Sequence, residues 1–172
     1  MSIQKNNITK LCSFYVSDWH LVTMLLPYIN KKINEEVEIA TVLEKDIQNN
    51  VKTLVEKLNL KNERKILEIN WKNKSKSIES IIEDKIGKEI LIIVNGSKDF
   101  IKNYNDEISN YLELNIKKFE NTSIKIVNCY EIVEFNGSIV EILDAHNKIL
   151  NTSGEKEINE VFEDYNRKEK IS

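Results

Sequence analysis

The sequence predicts an α/β protein, a three-layer sandwich in which helices cover both faces of a mainly parallel central sheet. Strand-like and helix-like apolar patterns alternate along almost the whole chain, which is the order that builds parallel sheets with crossover helices. The run Ile90 to Val94 is apolar on both faces, as expected for a central strand. No linker rich in glycine, proline or serine interrupts the alternation. We therefore expect one domain over residues 1–172 with its core at 8–150.

The first half of the chain is expected to form three strands, each followed by a helix. Asp18 can cap the first helix, and Pro27 is expected to kink that helix or delay its start. The other boundaries follow from runs of β-branched residues and from apolar residues at helical spacing. Strands are predicted at 11–16, 37–43 and 66–71, and helices at 18–33, 46–58 and from Ser75 or Ser77 to 86.

The second half continues the same alternation. Gly87 is expected to end the preceding helix, because glycine is the usual residue just past a helix end. A long helix, a short helix and a terminal helix separate the remaining strands. Strands are predicted at 89–94, 123–127 and 148–150, and helices at 98–119, 137–146 and 158–166, the last within a C-terminal segment of 155–167.

Composition excludes several classes of protein. Hydrophobic residues make up 41% of the 172 residues, which is too many for a disordered chain. No apolar run approaches the roughly 18 residues that a membrane span needs, and the first residues lack the apolar core of a signal peptide. A net charge of −3 argues against general nucleic-acid binding. A cytoplasmic location and two reduced cysteines are the expectation.

The common motifs of nucleotide, metal and hydrolase chemistry are missing from the sequence. It contains no GxxxxGK[ST] phosphate loop, GxGxxG, HExxH, CxxC or GxSxG. The segment from Val94 to Asp99 resembles a nucleotide loop, but a turn followed by a helix cap is the favoured interpretation. Two cysteines and His146 can supply three zinc ligands, although nothing in the sequence fixes their geometry. No cofactor and no metal are expected.

Candidate ligand-binding residues gather near the ends of predicted strands. If the strands that carry the two cysteines are neighbours, thiols, phenols and an imidazole can meet in one pocket. Each residue also has a purely structural interpretation: buried apolar thiols, packed aromatic rings, and an imidazole at a helix end. The candidates are Cys12, Tyr15, Trp71, Cys129, Tyr130 and His146.

Several short motifs together resemble one known family. They are Lys10-Leu11-Cys12-Ser13-Phe14-Tyr15, Leu25-Leu26-Pro27-Tyr28-Ile29, Ile126-Val127-Asn128-Cys129-Tyr130-Glu131 and Ile139-Val140-Glu141-Ile142-Leu143-Asp144-Ala145-His146. With these motifs the chain resembles the MEDS family, the DcmR-type sensory domain of methanogens and methylotrophs. Three departures stand out: Lys10 replaces a histidine, Asn147 replaces a proline, and residues 37–43 lack a cysteine.

The resemblance implies a RecA-like fold, here without a phosphate loop, and a sensory role. It implies a non-enzymatic signal-transduction module that senses a small organic ligand or relays a signal to a partner protein. Because of the three departures, an alternative is an interaction module that binds a histidine kinase or another signalling protein, without any ligand, through an exposed apolar patch. A homodimer is a further expectation.

A third hypothesis is a thiol enzyme. Cys12 or Cys129 would be its nucleophile and His146 its base. Such an enzyme needs a thiol and an imidazole about 3 Å apart and a lowered thiol pKa.

Overall fold

A single six-stranded sheet organises the chain. The computed structural model describes residues 8–72, 77–132 and 139–165. Within these ranges the strand order is β2-β3-β4-β1-β5-β6. The first five strands are parallel, and β6 pairs antiparallel with β5 in a hairpin. The strands are β1 (Ile8–Tyr15), β2 (Glu38–Leu43), β3 (Glu89–Asn95), β4 (Ser123–Glu131), β5 (Lys148–Asn151) and β6 (Gly154–Lys156).

Helices cover both faces of the sheet, which confirms the expected three-layer α/β sandwich. One side, here called face 1, packs against α1 (Asp18–Asn34), α2 (Gln48–Leu58) and α3 (Glu63–Glu68). The other, face 2, packs against α4 (Ile78–Ile82), α5 (Lys98–Leu114), α6 (Ile139–Asp144) and α7 (Ile158–Val161). Strand β3 is buried from Ile90 to Asn95, as its apolar run predicted. No helix in the described ranges is long and apolar enough to cross a membrane.

Serine residues set the starts of three helices. Ser17, Ser77 and Ser97 each accept a hydrogen bond from the backbone N–H three residues on, which satisfies one free donor of the first turn. Ser17 rather than Asp18 therefore caps α1. This helix extends without interruption from Asp18 to Asn34, with Pro27 inside it, so its start is not delayed. Seven buried residues hold α1 against face 1, which compensates for the backbone hydrogen bond that proline cannot make.

The predicted third strand is wrong. Residues 63–68 form helix α3, and 69–71 follow it in irregular conformation. Ile66 and Trp71 both enter the face 1 core, and the Trp71 indole N–H donates to the Ile66 carbonyl at 2.9 Å. This local hydrogen bond and the shared burial favour a turn of helix over a strand.

Other boundaries differ in length. The structure ends α4 at Ile82 and leaves Ile86 exposed, and it ends α5 at Leu114 rather than 119. Strand β4 extends to Glu131, and α7 ends at Val161. Three predicted helix boundaries, at Ser75, at Gly137 and at 166–167, lie outside the described residues. Strand β6 was not expected at all, because Gly154, Glu155 and Lys156 carry no apolar side chain.

Candidate functional site

The strands that carry the two cysteines are direct neighbours, as the sequence analysis required. In the β1–β4 ladder, Cys12 stands beside Asn128, Ser13 beside Cys129 and Phe14 beside Tyr130. The direction of the chain connections changes at this pair of strands. The connection from β1 leads to β2 at one edge of the sheet, and the connection from β4 leads to β5 towards the other edge. The carboxyl edge here is where open α/β sheets bind ligands.

The sheet nevertheless divides the six candidate residues into two groups. Successive side chains of a strand point to opposite faces, so the register sends the two thiols apart. Tyr15, Trp71 and Cys129 pack in the face 1 core. Cys12, Tyr130 and His146 lie on face 2, where Tyr130 contacts the imidazole edge-on with ring centroids 6.0 Å apart. The expected single pocket is therefore not formed, and all six residues are buried.

On face 2 the imidazole belongs to a network of buried amides. The Asn128 side-chain N–H donates to His146 Nε2 at 3.0 Å, and His146 Nδ1 lies 2.6 Å from the Ile142 carbonyl. Asn128 and Asn105 exchange two further hydrogen bonds, at 2.9 and 3.0 Å. This arrangement fits a neutral imidazole with its proton on Nδ1. The network ties β4 to α5 and to the turn after α6.

On face 1 the phenol of Tyr15 meets Asn95. The Asn95 amide donates to the Tyr15 oxygen at 2.7 Å and to the Cys129 carbonyl at 3.2 Å, joining the ends of β3, β1 and β4. The other amide atom, Oδ1, is buried without a hydrogen-bond partner. Above the phenol, the Lys45 ammonium contacts the Tyr15 ring and pairs with Asp18 at 2.7 Å. Burial raises the pKa of the Tyr15 phenol.

The two thiols are poorly suited to nucleophilic chemistry. Burial raises the pKa of Cys12 to about 12, and it also raises the pKa of Cys129 well above its usual value. Cys12 Sγ contacts the Lys148 carbonyl at 3.8 Å, while both ring nitrogens of His146 are engaged by Asn128 and by the Ile142 carbonyl. This geometry does not support a thiolate activated by an imidazole.

A large groove lies elsewhere, along the free edge of β2. Its volume is about 760 Å³, within the range of ligand-binding sites. One wall comes from the end of α1, from α3 and from residues 69–70, and the other comes from α4. The residues that line it are Ile33, Glu36, Val37, Glu38, Ile39, Ala40, Thr41, Lys65, Glu68, Ile69, Asn70, Ser80, Ile81 and Lys85. We call it the β2 groove.

The backbone of Ile39 points into the β2 groove. The Glu44 N–H donates to the Asn95 carbonyl at 2.9 Å, so this residue faces β3. Residues of a strand in a parallel ladder face its two neighbours alternately, and the β2–β3 register continues unbroken from Glu38 to Leu43. Even-numbered residues of β2 therefore bond to β3, while the N–H and C=O of Ile39 face outward.

Sequence reasoning missed the β2 groove because strand order is not written in the sequence. Residues 37–43 read as one strand among several, and only the assembled sheet makes β2 an edge.

Comparison with known proteins adds no further assignment: no family model, curated protein or solved structure matches this chain. The described residues also contain no cluster of three or more His, Cys, Asp or Glu that can hold a metal ion.

Proposed function

We propose that this chain is a non-enzymatic module of signal transduction that binds a partner protein. The partner contributes an extended segment, which adds to the sheet as a strand beside β2. The observation that carries this proposal is an edge strand at the floor of a groove of about 760 Å³. Extended peptides bind exposed sheet edges through main-chain hydrogen bonds, while side-chain pockets give specificity.

The side chains around β2 define the chemistry of that segment. On face 1, the half-buried Ile33, Val37, Ile39 and Ile69 flank the edge and pack against the core. On face 2, the α4 wall presents Ser80 and Lys85 beside Ile81. Side chains of an added strand alternate between the two faces. The partner segment is therefore apolar at every second position and polar at the positions between.

The groove fits one extended segment better than a second copy of this chain. Both walls rise beside β2, so its backbone lies recessed between α3 and α4. A second copy would present the same recessed edge, and two recessed edges cannot reach each other. A single strand from a partner has no such walls and can enter.

The other two hypotheses have less support. Ligand sensing at the sheet's carboxyl edge relied on six residues that are buried and divided between the two faces. A thiol enzyme would need a lowered thiol pKa, and burial has the opposite effect on both cysteines.

A selection of random linear peptides displayed on phage tests the proposal. Peptides enriched on the wild-type protein are expected to share apolar residues at alternate positions. Ile39→Pro removes the N–H that faces the groove and leaves the β2–β3 hydrogen bonds intact, a substitution that edge strands tolerate. We expect this variant to bind the peptides at least about tenfold more weakly, the equivalent of about 1.4 kcal/mol.

Two further variants complete the test. Ile39→Val keeps both the N–H and the apolar contact, so it should bind as the wild type does. Ile69→Ser removes an apolar contact from the wall and leaves β2 itself unchanged, so weaker binding there supports the same site even if Ile39→Pro is unstable. Absence of any enriched pattern, or equal binding to Ile39→Pro, Ile69→Ser and the wild type, contradicts the proposal.

A further inference from the structure

A second, smaller cleft lies on the opposite side of the molecule from β2. It separates α1 from the β5–β6 hairpin and has a volume of about 360 Å³, enough for a small organic molecule. The two walls differ in character, because α1 supplies apolar and basic side chains while the hairpin supplies small polar ones. The lining residues are Met24, Pro27, Tyr28, Lys31, Lys32, Asn151, Thr152, Ser153, Gly154 and Glu155.

The carboxylate of Glu155 holds the two walls together. Its Oε2 accepts hydrogen bonds from the Tyr28 phenol at 2.6 Å and from Lys125 Nζ at 2.7 Å, and Lys32 Nζ lies 3.6 Å away. Burial alone would raise the pKa of Glu155, but the bonds from Lys125 and Tyr28 and the nearby charges lower it to about 2. The carboxylate is therefore ionised at neutral pH, and its charge is already compensated.

Within the part of the chain that the structure describes, one positive charge of the cleft is not compensated. Three ammonium groups, those of Lys31, Lys32 and Lys125, surround this region, and the carboxylates that pair with them are Glu155 and Glu35. Lys32 and Lys125 make the ion pairs with these carboxylates. Lys31 is exposed on the cleft wall, and it takes part in no ion pair within the described ranges.

Polar and apolar groups complete the surroundings of Lys31. The turn of the hairpin places Thr152 and Ser153, which both carry hydroxyl groups, on the lining of the cleft, and Met24 and Pro27 give it an apolar side. Gly154 has φ +106°, a conformation that side chains rarely adopt, and nothing lies within 4 Å of the position of a Cβ there. The glycine thus permits the tight turn and leaves the hairpin side of the cleft open.

We infer that this cleft binds a small organic anion: a molecule with one carboxylate or phosphate group on a compact apolar body. Lys31 pairs with the anionic group, the hydroxyls of Thr152 and Ser153 donate hydrogen bonds to it, and Met24 and Pro27 contact the apolar body. Neither the β2 groove nor a partner protein is needed for this binding, so the inference goes beyond the proposed function.

Titrations followed by amide NMR shifts of the ¹⁵N-labelled full chain test the inference. The probes are benzoate, phenyl phosphate and, as a neutral control, benzyl alcohol. We expect saturable shifts at residues 151–155 with one or both anions and none with benzyl alcohol. Tighter binding of benzoate assigns carboxylates as the ligand class, and tighter binding of phenyl phosphate assigns phosphate esters.

Matched lysine variants locate the binding. Lys31→Ala should weaken it about five- to tenfold, since a charge-assisted contact is lost, and Lys31→Arg should retain it. Lys52→Ala, at an exposed position of α2, should have no effect. The inference is overturned if neither anion shifts these amides, if benzyl alcohol binds equally well, or if Lys31→Ala and Lys52→Ala behave alike. Because display-selected peptides would shift residues 37–41 instead, failure of one site is distinguishable from failure of the other.

Discussion

The two edges of the sheet are built in opposite ways. At one edge β6 has only three residues, two of them charged, and Glu155 is fastened to Tyr28 and Lys125. At the other edge β2 has six residues and lies at the floor of a groove. Short, charged edge strands are a common protection against unwanted pairing. The β6 edge has this protection, whereas β2 is neither short nor at the surface of a charged hairpin, as the proposed binding of a partner strand requires.

The β2 edge is itself divided into a covered half and an open half. Asn70 and Trp71 cover the carboxyl half, where Thr41 donates a side-chain hydrogen bond to the Asn70 carbonyl and the Ile47 N–H donates to the Trp71 carbonyl. Residues 38–40 are only half-buried, whereas Val42 and Leu43 are buried. An added strand therefore has its place beside the amino half of β2.

Among substitutions at the two sheet edges, the largest loss of stability is expected from Trp71→Ala, which removes the buried side chain that holds the cover over the carboxyl half of β2. Trp71 is 2% exposed and its indole N–H is hydrogen-bonded, so the substitution leaves a cavity and removes one of the two hydrogen bonds that the Ile66 carbonyl accepts. We expect a loss of about 3–5 kcal/mol in the free energy of unfolding, measured by urea denaturation.

Trp19→Ala is the matched control for Trp71→Ala, because Trp19 is 50% exposed. Its loss should change stability by less than about 0.5 kcal/mol. Similar effects of the two substitutions would contradict the assigned role of Trp71 in holding the cover over β2.

A smaller effect is expected from Glu155→Gln, which weakens the protected β6 edge. The carboxylate accepts charge-assisted hydrogen bonds, and its replacement should cost about 2 kcal/mol at pH 7. Because the folded-state pKa of Glu155 is lowered to about 2, its contribution is fully present above the unfolded-state pKa of roughly 4.3. That contribution is lost as the pH falls from there towards 2.

Urea denaturation of the wild type and Glu155→Gln between pH 7 and pH 3 measures this dependence. The difference in stability should shrink on the acid side, because below about pH 4.3 the unfolded wild type takes up a proton at Glu155 while the folded protein keeps this carboxylate ionised down to about pH 2. The glutamine variant has no charge at this position at any pH. A difference that stays constant with pH would show that Glu155 does not act through its charge. Glu160→Gln, at an exposed position of α7, is a control without a lysine partner among the described ion pairs.

The sequence could predict those features of the fold that depend on local periodicity. Alternating patterns located five of the six strands, and the run Ile90 to Val94 correctly indicated a strand buried on both faces. These features depend on local periodicity, which the sequence carries directly. The prediction of a strand at 66–71 was wrong because Ile66 and Trp71 suit either a short strand or a turn of helix. The hydrogen bond from the Trp71 indole to the Ile66 carbonyl favours the helix, and the sequence does not reveal it.

The arrangement of the candidate site residues could not be predicted in the same way, because it depends on strand register and strand order. Whether Cys12 and Cys129 share a face is decided by the register that places Ser13, not Cys12, beside Cys129. A shift of one residue would have brought the thiols together. Strand order likewise decides that β2 is an edge, and β6 lacks the apolar residues that reveal strands.

Hydrogen exchange of the backbone amides, measured with and without a display-selected peptide, tests the central claim most directly. Among the strands of the described residues, none pairs with the outward N–H of Ile39, and an added strand would accept its hydrogen bond. We predict that the peptide slows exchange at Ile39, whose N–H faces outward, and leaves 154–156 unchanged. Slower exchange at β6, or at neither edge while the peptide is bound, would contradict the account.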